Sequence, residues 1–270
     1  MEQSRLDAIR TWFDGYVQAF YDIDPEGLRN ILLKVEHTHK VCQVMDLLAA
    51  GEGLSPENAP IAGAIALLHD VGRFPQYHRW RTFRDSDSDN HARLSVEVIR
   101  EQQVLDGLDT NERLLIEEAV RFHNLLHLPE QVTSPTRLYM ELIRDADKLD
   151  IWRVFLGECA LPDEQRASAV NLGLPDLPGF SPACLTDLAE KRVVRLDECR
   201  VVNDIKLMLI SWALELGFAS SYRLLLERGY IPRLAATLHG PRDDVDLLLL
   251  EIMSEVERRA LNHGVAETGS

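Results

Sequence analysis

Several things are scarce in this chain of 270 residues, and each scarcity excludes something. There are four cysteines, Cys42, Cys159, Cys184 and Cys199, far apart and without the paired spacing of a zinc site. A disulfide framework is therefore not expected, and reduced thiols in a cytoplasmic protein are the default reading. Basic charge is short: 29 Lys and Arg face 44 Asp and Glu, for a net charge of −15. That balance argues against nucleic-acid polymers and anionic membranes, which want a basic face. It leaves room for a small anionic substrate, because a bound metal reverses the local field. No apolar stretch is long enough to cross a bilayer. The opening Met-Glu-Gln-Ser-Arg-Leu-Asp has no basic patch followed by an apolar core, so no signal peptide is expected. Strand patterning is nearly absent; Lys191–Val194 with Val201–Val202 is the one short candidate. The chain reads as all-α.

What is present is helical periodicity on a globular composition, 46% hydrophobic and 27% charged. Leu6, Ile9, Trp12, Phe13, Val17, Phe20 and Tyr21 form a stripe over residues 5–22. Asp24-Pro25-Glu26 starts a second helix that runs to about Ala50. On it His37 shares a line with Val41, Val44 and Leu48 and points to the core, whereas His39 joins Gln43 and Asp46 and faces water. Residues 61–70 are apolar on nearly every face, the mark of a buried helix, with Gly72 placed to end it. Residues 73–90 read as a long loop, dense in arginine (Arg73, Arg79, Arg81, Arg84). Asp89 or Asn90 can cap a helix from His91 to about Gln103, and Asp109 or Thr110 another that carries His123 and His127 before Pro129 ends it. Pro135 or Thr136 opens a helix through Asp145-Ala-Asp-Lys-Leu-Asp150 to Phe155. Residues 161–183 are rich in Pro and Gly and read as an irregular connection. Helices are expected again over about 184–218, 219–228 and 243–262, with a frayed tail from Gly264 to Ser270.

His69 and Asp70 close the buried helix, and an ionised carboxylate there needs a cation or several donors. A divalent metal supplies that charge, and His with Asp is a ligand set that metals accept. A hydrogen-bonded His–Asp pair would satisfy the same two residues. The inward candidates line up as His37, His69-Asp70, His91, His123 and an Asp within 145–150. Several histidines beside apolar faces, together with buried aspartates, are hard to explain by packing alone. Converging helices of a bundle could bring them together.

These segments resemble the HD-domain superfamily of metal-dependent phosphohydrolases. The resemblance rests on Glu-His-Thr-His-Lys-Val (36–41), Leu-Leu-His-Asp-Val-Gly-Arg-Phe (67–74) and Asp-Ala-Asp-Lys-Leu-Asp (145–150), and it covers roughly 30–160. It implies a helical bundle of the HD type over 31–160; the patterning of the remaining residues adds an N-terminal helix (1–30) packed on it and a C-terminal helical extension (161–270) expected to be part of the same globular unit. It implies that His37, His69, Asp70 and a later Asp bind metal, with Asp70 bridging two ions. His91 and His123 occupy the places of two further histidines found in two-metal members; His123 could instead touch substrate. The family motif favours Asp147 as the last ligand over Asp145, a choice that periodicity leaves open. Asp145 and Asp150 could orient ligands.

The implied activity is hydrolysis of a small phosphate ester or nucleotide, monoester or diester, by a metal-activated hydroxide attacking phosphorus in line. Lys148 and Arg73 are candidates to hold the phosphate, ahead of Arg79 and Arg84. Two divalent ions are expected, with Mn, Fe, Co, Ni and Mg all compatible with the ligands. Two rival readings use the same residues: a nucleotide-sensing regulatory module and a di-iron oxygenase. An exposed helical face within 161–270 is a candidate homodimer surface.

Overall fold

The computed structural model describes residues 1–261, so the tail from Gly264 to Ser270 lies outside the described residues. The helices are α1 (Gln3–Gln18), α2 (Pro25–Gly51), α3 (Ala59–Leu68), α4 (Arg73–Trp80), α5 (His91–Glu101), α6 (Thr110–Phe122), α7 (Thr136–Cys159), α8 (Pro182–Ala189), α9 (Val202–Ser211), α10 (Ala219–Arg228), α11 (Tyr230–Ala236) and α12 (Asp243–Leu261). Among the described residues there is no strand, and the fold is all-α. No described helix is long and apolar enough to cross a membrane.

The helix starts follow local chemistry. The Asp24 side chain accepts from the Gly27 amide with Pro25 in the first turn, Asn90 accepts from Arg93, and Asp109 from Asn111. Each satisfies an amide that the helix itself leaves without a partner.

The chain forms two compact units. The first comprises Met1–Ile151 with Ala167–Ala169. Its centre is α3, buried at every position from Pro60 to Leu68, with α1, α2 and α6 packed around it. A helix without a polar face has no side to give to water, so its neighbours must enclose it. Residues 167–169 return to α2, where the Ala169 amide donates to Asn30 Oδ1 at 3.2 Å while Asn30 Nδ2 donates to Tyr77 Oη at 2.8 Å. The second unit comprises Trp152–Arg166 and the chain from Val170 onward. Within it Trp152 is fully buried and its indole N–H donates to the Leu209 carbonyl at 2.9 Å. Asp204 accepts from the Ser181 amide and hydroxyl and from the Arg200 amide, which ties the irregular chain before α9 to that helix. Lys206 is buried and donates to the Thr237 carbonyl at 2.6 Å.

Three expectations need correction. Residues 73–90 are not one loop: 73–80 form α4, and a 3-10 turn follows at Asp85–Asp87. Phe74 and Tyr77, one turn apart, face inward with Gln76, while the polar and charged residues on either side, Arg73, His78 and Arg79, hide that short apolar face in the sequence. The helix before His123 stops at Phe122 rather than at Pro129. The stretch 184–218 is not continuous: α8 ends before Lys191, whose φ of 57° is left-handed, and α9 begins only at Val202. The candidate strand residues lie in that irregular link and in the first turn of α9. The short helix α11, opened by Gly229 at φ 59°, has no counterpart in the sequence reading.

Candidate metal centre

The candidate ligands form one buried cluster in the first unit. His37 comes from the middle of α2, His69 caps α3, Asp70 follows it, His91 opens α5, His123 caps α6 and Asp147 stands on α7. Helix ends supply four of these six, because a buried helix terminus lets a side chain turn into the interior without breaking a ladder hydrogen bond.

Gly72 makes this convergence sterically achievable. A Cβ there would stand 2.4 Å from the Ser95 amide nitrogen and 2.6 Å from the His91 carbonyl oxygen. The sequence suggested a helix-ending glycine; its φ of −69° is open to any residue, so the requirement is space. The Gly72 amide donates to Ser95 Oγ at 2.9 Å, pinning the His69-Asp70 turn on α5.

The four imidazoles share one arrangement. His37 Nδ1 lies 2.7 Å from Asp150 Oδ2, His69 Nδ1 2.7 Å from the Ala66 carbonyl, His91 Nδ1 2.7 Å from Asp85 Oδ2, and His123 Nδ1 2.7 Å from the Val120 carbonyl. Carbonyl and carboxylate oxygens only accept, so each Nδ1 is the donor and each neutral ring carries its lone pair on Nε2. All four Nε2 atoms point into the same space. His37 Nε2 is 3.0 Å and His69 Nε2 3.8 Å from Asp147 Oδ1, and they are 3.8 and 3.7 Å from Asp70 Oδ2. His91 Nε2 and His123 Nε2 are 3.6 and 3.9 Å from Asp70 Oδ1, and 3.1 Å from each other. Asp70 thus presents one oxygen to His37 and His69 and the other to His91 and His123.

This geometry fits divalent cations. His37 Nε2, His69 Nε2, Asp70 Oδ1 and Asp147 Oδ1 are buried without an aligned hydrogen-bond partner. Buried polar atoms left in that state are costly, and two imidazole lone pairs 3.1 Å apart repel unless a cation stands between them. Among the described residues, three groups have ligand atoms close enough to hold an ion: His37, His69 and Asp70; His69, His123 and Asp147; Asp70, His91 and His123.

The electrostatics favour deprotonated ligands, which metals require. Burial would raise the Asp70 carboxyl, but Lys34, His69, Arg73 and His91 together hold it well below the usual range. Burial likewise opposes ionisation of Asp147, and the His37 and His69 rings outweigh it. Burial, then the neighbouring rings of His91 and His69, push His123 down to about 3. His91 is lowered by burial and Arg73. His37 is the exception: burial and Lys34 push it down, but Asp147 and Asp150 carry it above its ordinary value.

The remaining residues fall into place around this cluster. Asp145 is buried on α7 but joins none of the three ligand groups among the described residues. Two residues along a helix is a rotation of about 200°, so Asp145 and Asp147 look in different directions. Asp150 holds the His37 ring. Arg73 reaches Asp70 Oδ1 at 3.4 Å, and its Nη1 donates to the Phe83 carbonyl and to Asp85. Lys148 is half-buried beside Asp147 on α7. Arg79 is exposed and lies over the Trp80 ring, and Arg84 pairs with Asp87 at 3.4 Å. His39, His78 and His127 are exposed.

Two residues at the cluster, Lys34 and Asp85, lie outside the sequence motifs. Lys34 Nζ contacts Asp70 Oδ2 at 2.8 Å. Its position three residues before His37, hence on the same helix face, was the available signal. Asp85 had none that separates it from Asp87 and Asp89 in the same acidic run.

An all-helical core that directs four imidazole nitrogens and two carboxylates at one space forms a His/Asp cluster that could hold metal ions. The family model described as "HD domain" matches residues 35–152, so this segment of the chain is similar to the HD domain, which is found in a superfamily of metal-dependent hydrolases. No curated protein and no solved structure matches the chain.

Proposed function

We propose that this chain is a metal-dependent phosphohydrolase acting on a small phosphate ester or nucleotide. The observation that carries the reading is the set of four Nε2 lone pairs aimed at the two oxygens of Asp70, with every Nδ1 committed elsewhere. A structural histidine cluster would have no reason to turn every lone pair inward. His37, His69 and Asp147 would hold one ion, His91 and His123 a second, and Asp70 both. Bound divalent metal supplies a Lewis acid that neutralises phosphoryl charge and makes water acidic near neutral pH.

The chain's own groups supply the rest. Lys34 and Arg73 place two cations on opposite oxygens of Asp70, in a chain otherwise short of positive charge. Arg73 Nε faces Asp70 Oδ1 at 3.4 Å, which sets the guanidinium charge at the cluster, where it would favour a bound phosphoryl group. Lys148, next to Asp147 on α7, would be a further phosphate contact. The Asp147 side chain, 20% exposed where its partners are nearly sealed, marks the side from which substrate reaches the cluster. The acidic surface disfavours long polyanions and leaves small phosphorylated molecules as the substrate class. The free state of all four cysteines supports a cytoplasmic setting.

The test is elemental analysis of the purified protein, paired with para-nitrophenyl phosphate and bis-para-nitrophenyl phosphate turnover after manganese is supplied. About two transition metals per chain and metal-dependent release are expected. No metal bound after reconstitution would return His69 and Asp70 to a structural pair. Iron with oxygen consumption and no ester cleavage would favour the oxygenase.

A further inference from the structure

The two halves of the cluster are held in different ways. His37 and His69 are oriented from within helices, by Asp150 on α7 and by the Ala66 carbonyl of α3. His123 is likewise oriented by its own helix, through the Val120 carbonyl. His91 alone takes its orientation from the segment between α4 and α5. Its Nδ1 lies 2.7 Å from Asp85 Oδ2 and 2.9 Å from Asp85 Oδ1, a contact to both oxygens of one carboxylate.

That carboxylate is itself fixed from several directions. Asp85 Oδ1 accepts from Arg73 Nη1 at 3.1 Å and from Gln76 Nε2 at 3.0 Å, and Oδ2 accepts from Asn124 Nδ2 at 3.4 Å. Gln76, fully buried on α4, also donates to Ser88 Oγ at 2.8 Å and to the Asp89 carbonyl at 2.9 Å. Arg73 Nη1 further donates to the Phe83 carbonyl at 2.6 Å. One buried amide and one guanidinium therefore tie 83–89 into a single shape, and that shape delivers Asp85 to His91. A surface loop would not need a buried glutamine with three acceptors.

We propose that Asp85 is the positioning carboxylate of the second metal subsite. By accepting from His91 Nδ1 it fixes the tautomer that leaves the Nε2 lone pair facing His123 and Asp70 Oδ1, so the His91/His123 half of the centre depends on the 81–90 segment while the His37/His69/Asp147 half does not. This rests on the two-ion reading above. Removing an outer-shell partner of a metal-binding histidine costs about 10- to 100-fold in metal affinity. The loss here should fall on one ion of the two.

The experiment compares the full chain with Asp85→Ala and Asp85→Asn, with Ser86→Ala, an exposed neighbour, as control. Asn keeps an acceptor without the charge and guards against a variant that fails to fold. Manganese binding is followed by calorimetry and by paramagnetic resonance, which separates a spin-coupled pair from an isolated ion. The metal-free proteins are compared by 15N shifts of the His91 ring. The expected result is two ions in the wild type and in Ser86→Ala. Asp85→Ala should keep one at unchanged affinity and bind the second about 10- to 100-fold more weakly, with a smaller loss in Asp85→Asn. The coupled signal should give way to that of an isolated ion, and the His91 ring of metal-free Asp85→Ala should no longer be held as the Nδ1–H tautomer. Two ions at wild-type affinity in both variants would overturn the proposal and leave the hydrolase reading standing. Equal weakening of both ions would overturn it as well, since Asp85 would then serve the whole fold. A wild type that binds no metal would overturn the hydrolase reading, and the ring shifts would still decide whether Asp85 sets the His91 tautomer.

Discussion

Replacing Gly72 by alanine should damage the fold and the metal centre together. The new Cβ would meet the Ser95 amide nitrogen at 2.4 Å, the His91 carbonyl oxygen at 2.6 Å and the Leu94 carbonyl carbon at 2.7 Å. All three are backbone atoms of α5, so no side chain can swing away. Overpacking in cores costs about 1–3 kcal/mol, and rigid surroundings place this case at about 3 kcal/mol. For a chain of this size 1 kcal/mol moves the melting temperature by about 2–4 °C, so the midpoint should fall by about 6–12 °C. The assay is thermal unfolding followed by circular dichroism. Gly15→Ala on α1 is the control: nothing lies within 4 Å of its Cβ, and alanine there should stabilise the helix by about 1 kcal/mol. Relief of the clash must push the His69-Asp70 turn away from His91, so manganese should also bind more weakly in Gly72→Ala. A Gly72→Ala midpoint within about 2 °C of wild type would refute the reasoning, because the turn and α5 would then separate without cost.

Other outcomes follow from the same geometry. Asp70→Asn should lose turnover by orders of magnitude while circular dichroism stays helical; retained activity at undiminished metal content would contradict the assigned role. In the metal-free protein, burial raises the Asp85 carboxyl, but His91 and Arg73 outweigh it and hold it down to about 2. A depressed carboxyl stabilises the fold above its unfolded value, near 3.9, and that contribution is lost as pH falls toward 2. Wild type and Asp85→Asn should therefore differ in urea stability at pH 6 and converge near pH 2; a constant gap would show that the charge is not the cause. Burial pushes the Cys42 thiol up to about 12, so iodoacetamide at pH 8 should leave Cys42 unmodified in the native chain and alkylate it in denaturant, as mass spectrometry would show.

The legible parts of this protein were those written in periodicity and caps. The stripe over 5–22, whose helix ends at Gln18, the Asp24-Pro25 start, the all-round apolar α3 and the Asn90 cap each bear their physics on a few neighbouring residues. His37 and His39 could be separated because α2 is long enough for its register to be read; one is buried and the other exposed. Where a short element draws its stability from tertiary contact, the pattern fails. Helix α4 shows its neighbours only Phe74, Gln76 and Tyr77, and α11 is seven residues long. Lys34 and Asp85 are hard to read for a different reason: Lys34 acts on Asp70, remote in sequence, and nothing local separates Asp85, the carboxylate that meets His91, from Asp87 and Asp89. The space required at Gly72 belongs to the same class, since α5 must be in place before that glycine has a neighbour to avoid.

The inward lone pairs carry a last consequence, for the abundance of the protein. Ligands drawn from α2 through α7 do not exist as a site in the unfolded chain, so the proposed ions would bind only the native state. Each ion at 100 times its dissociation constant then adds about 2.7 kcal/mol to folding stability. Without metal, the facing nitrogens of His91 and His123 burden the fold with their repulsion. A cell starved of the right ion would hold less of this protein, as well as a less active one, because the unfolded fraction is what proteases remove.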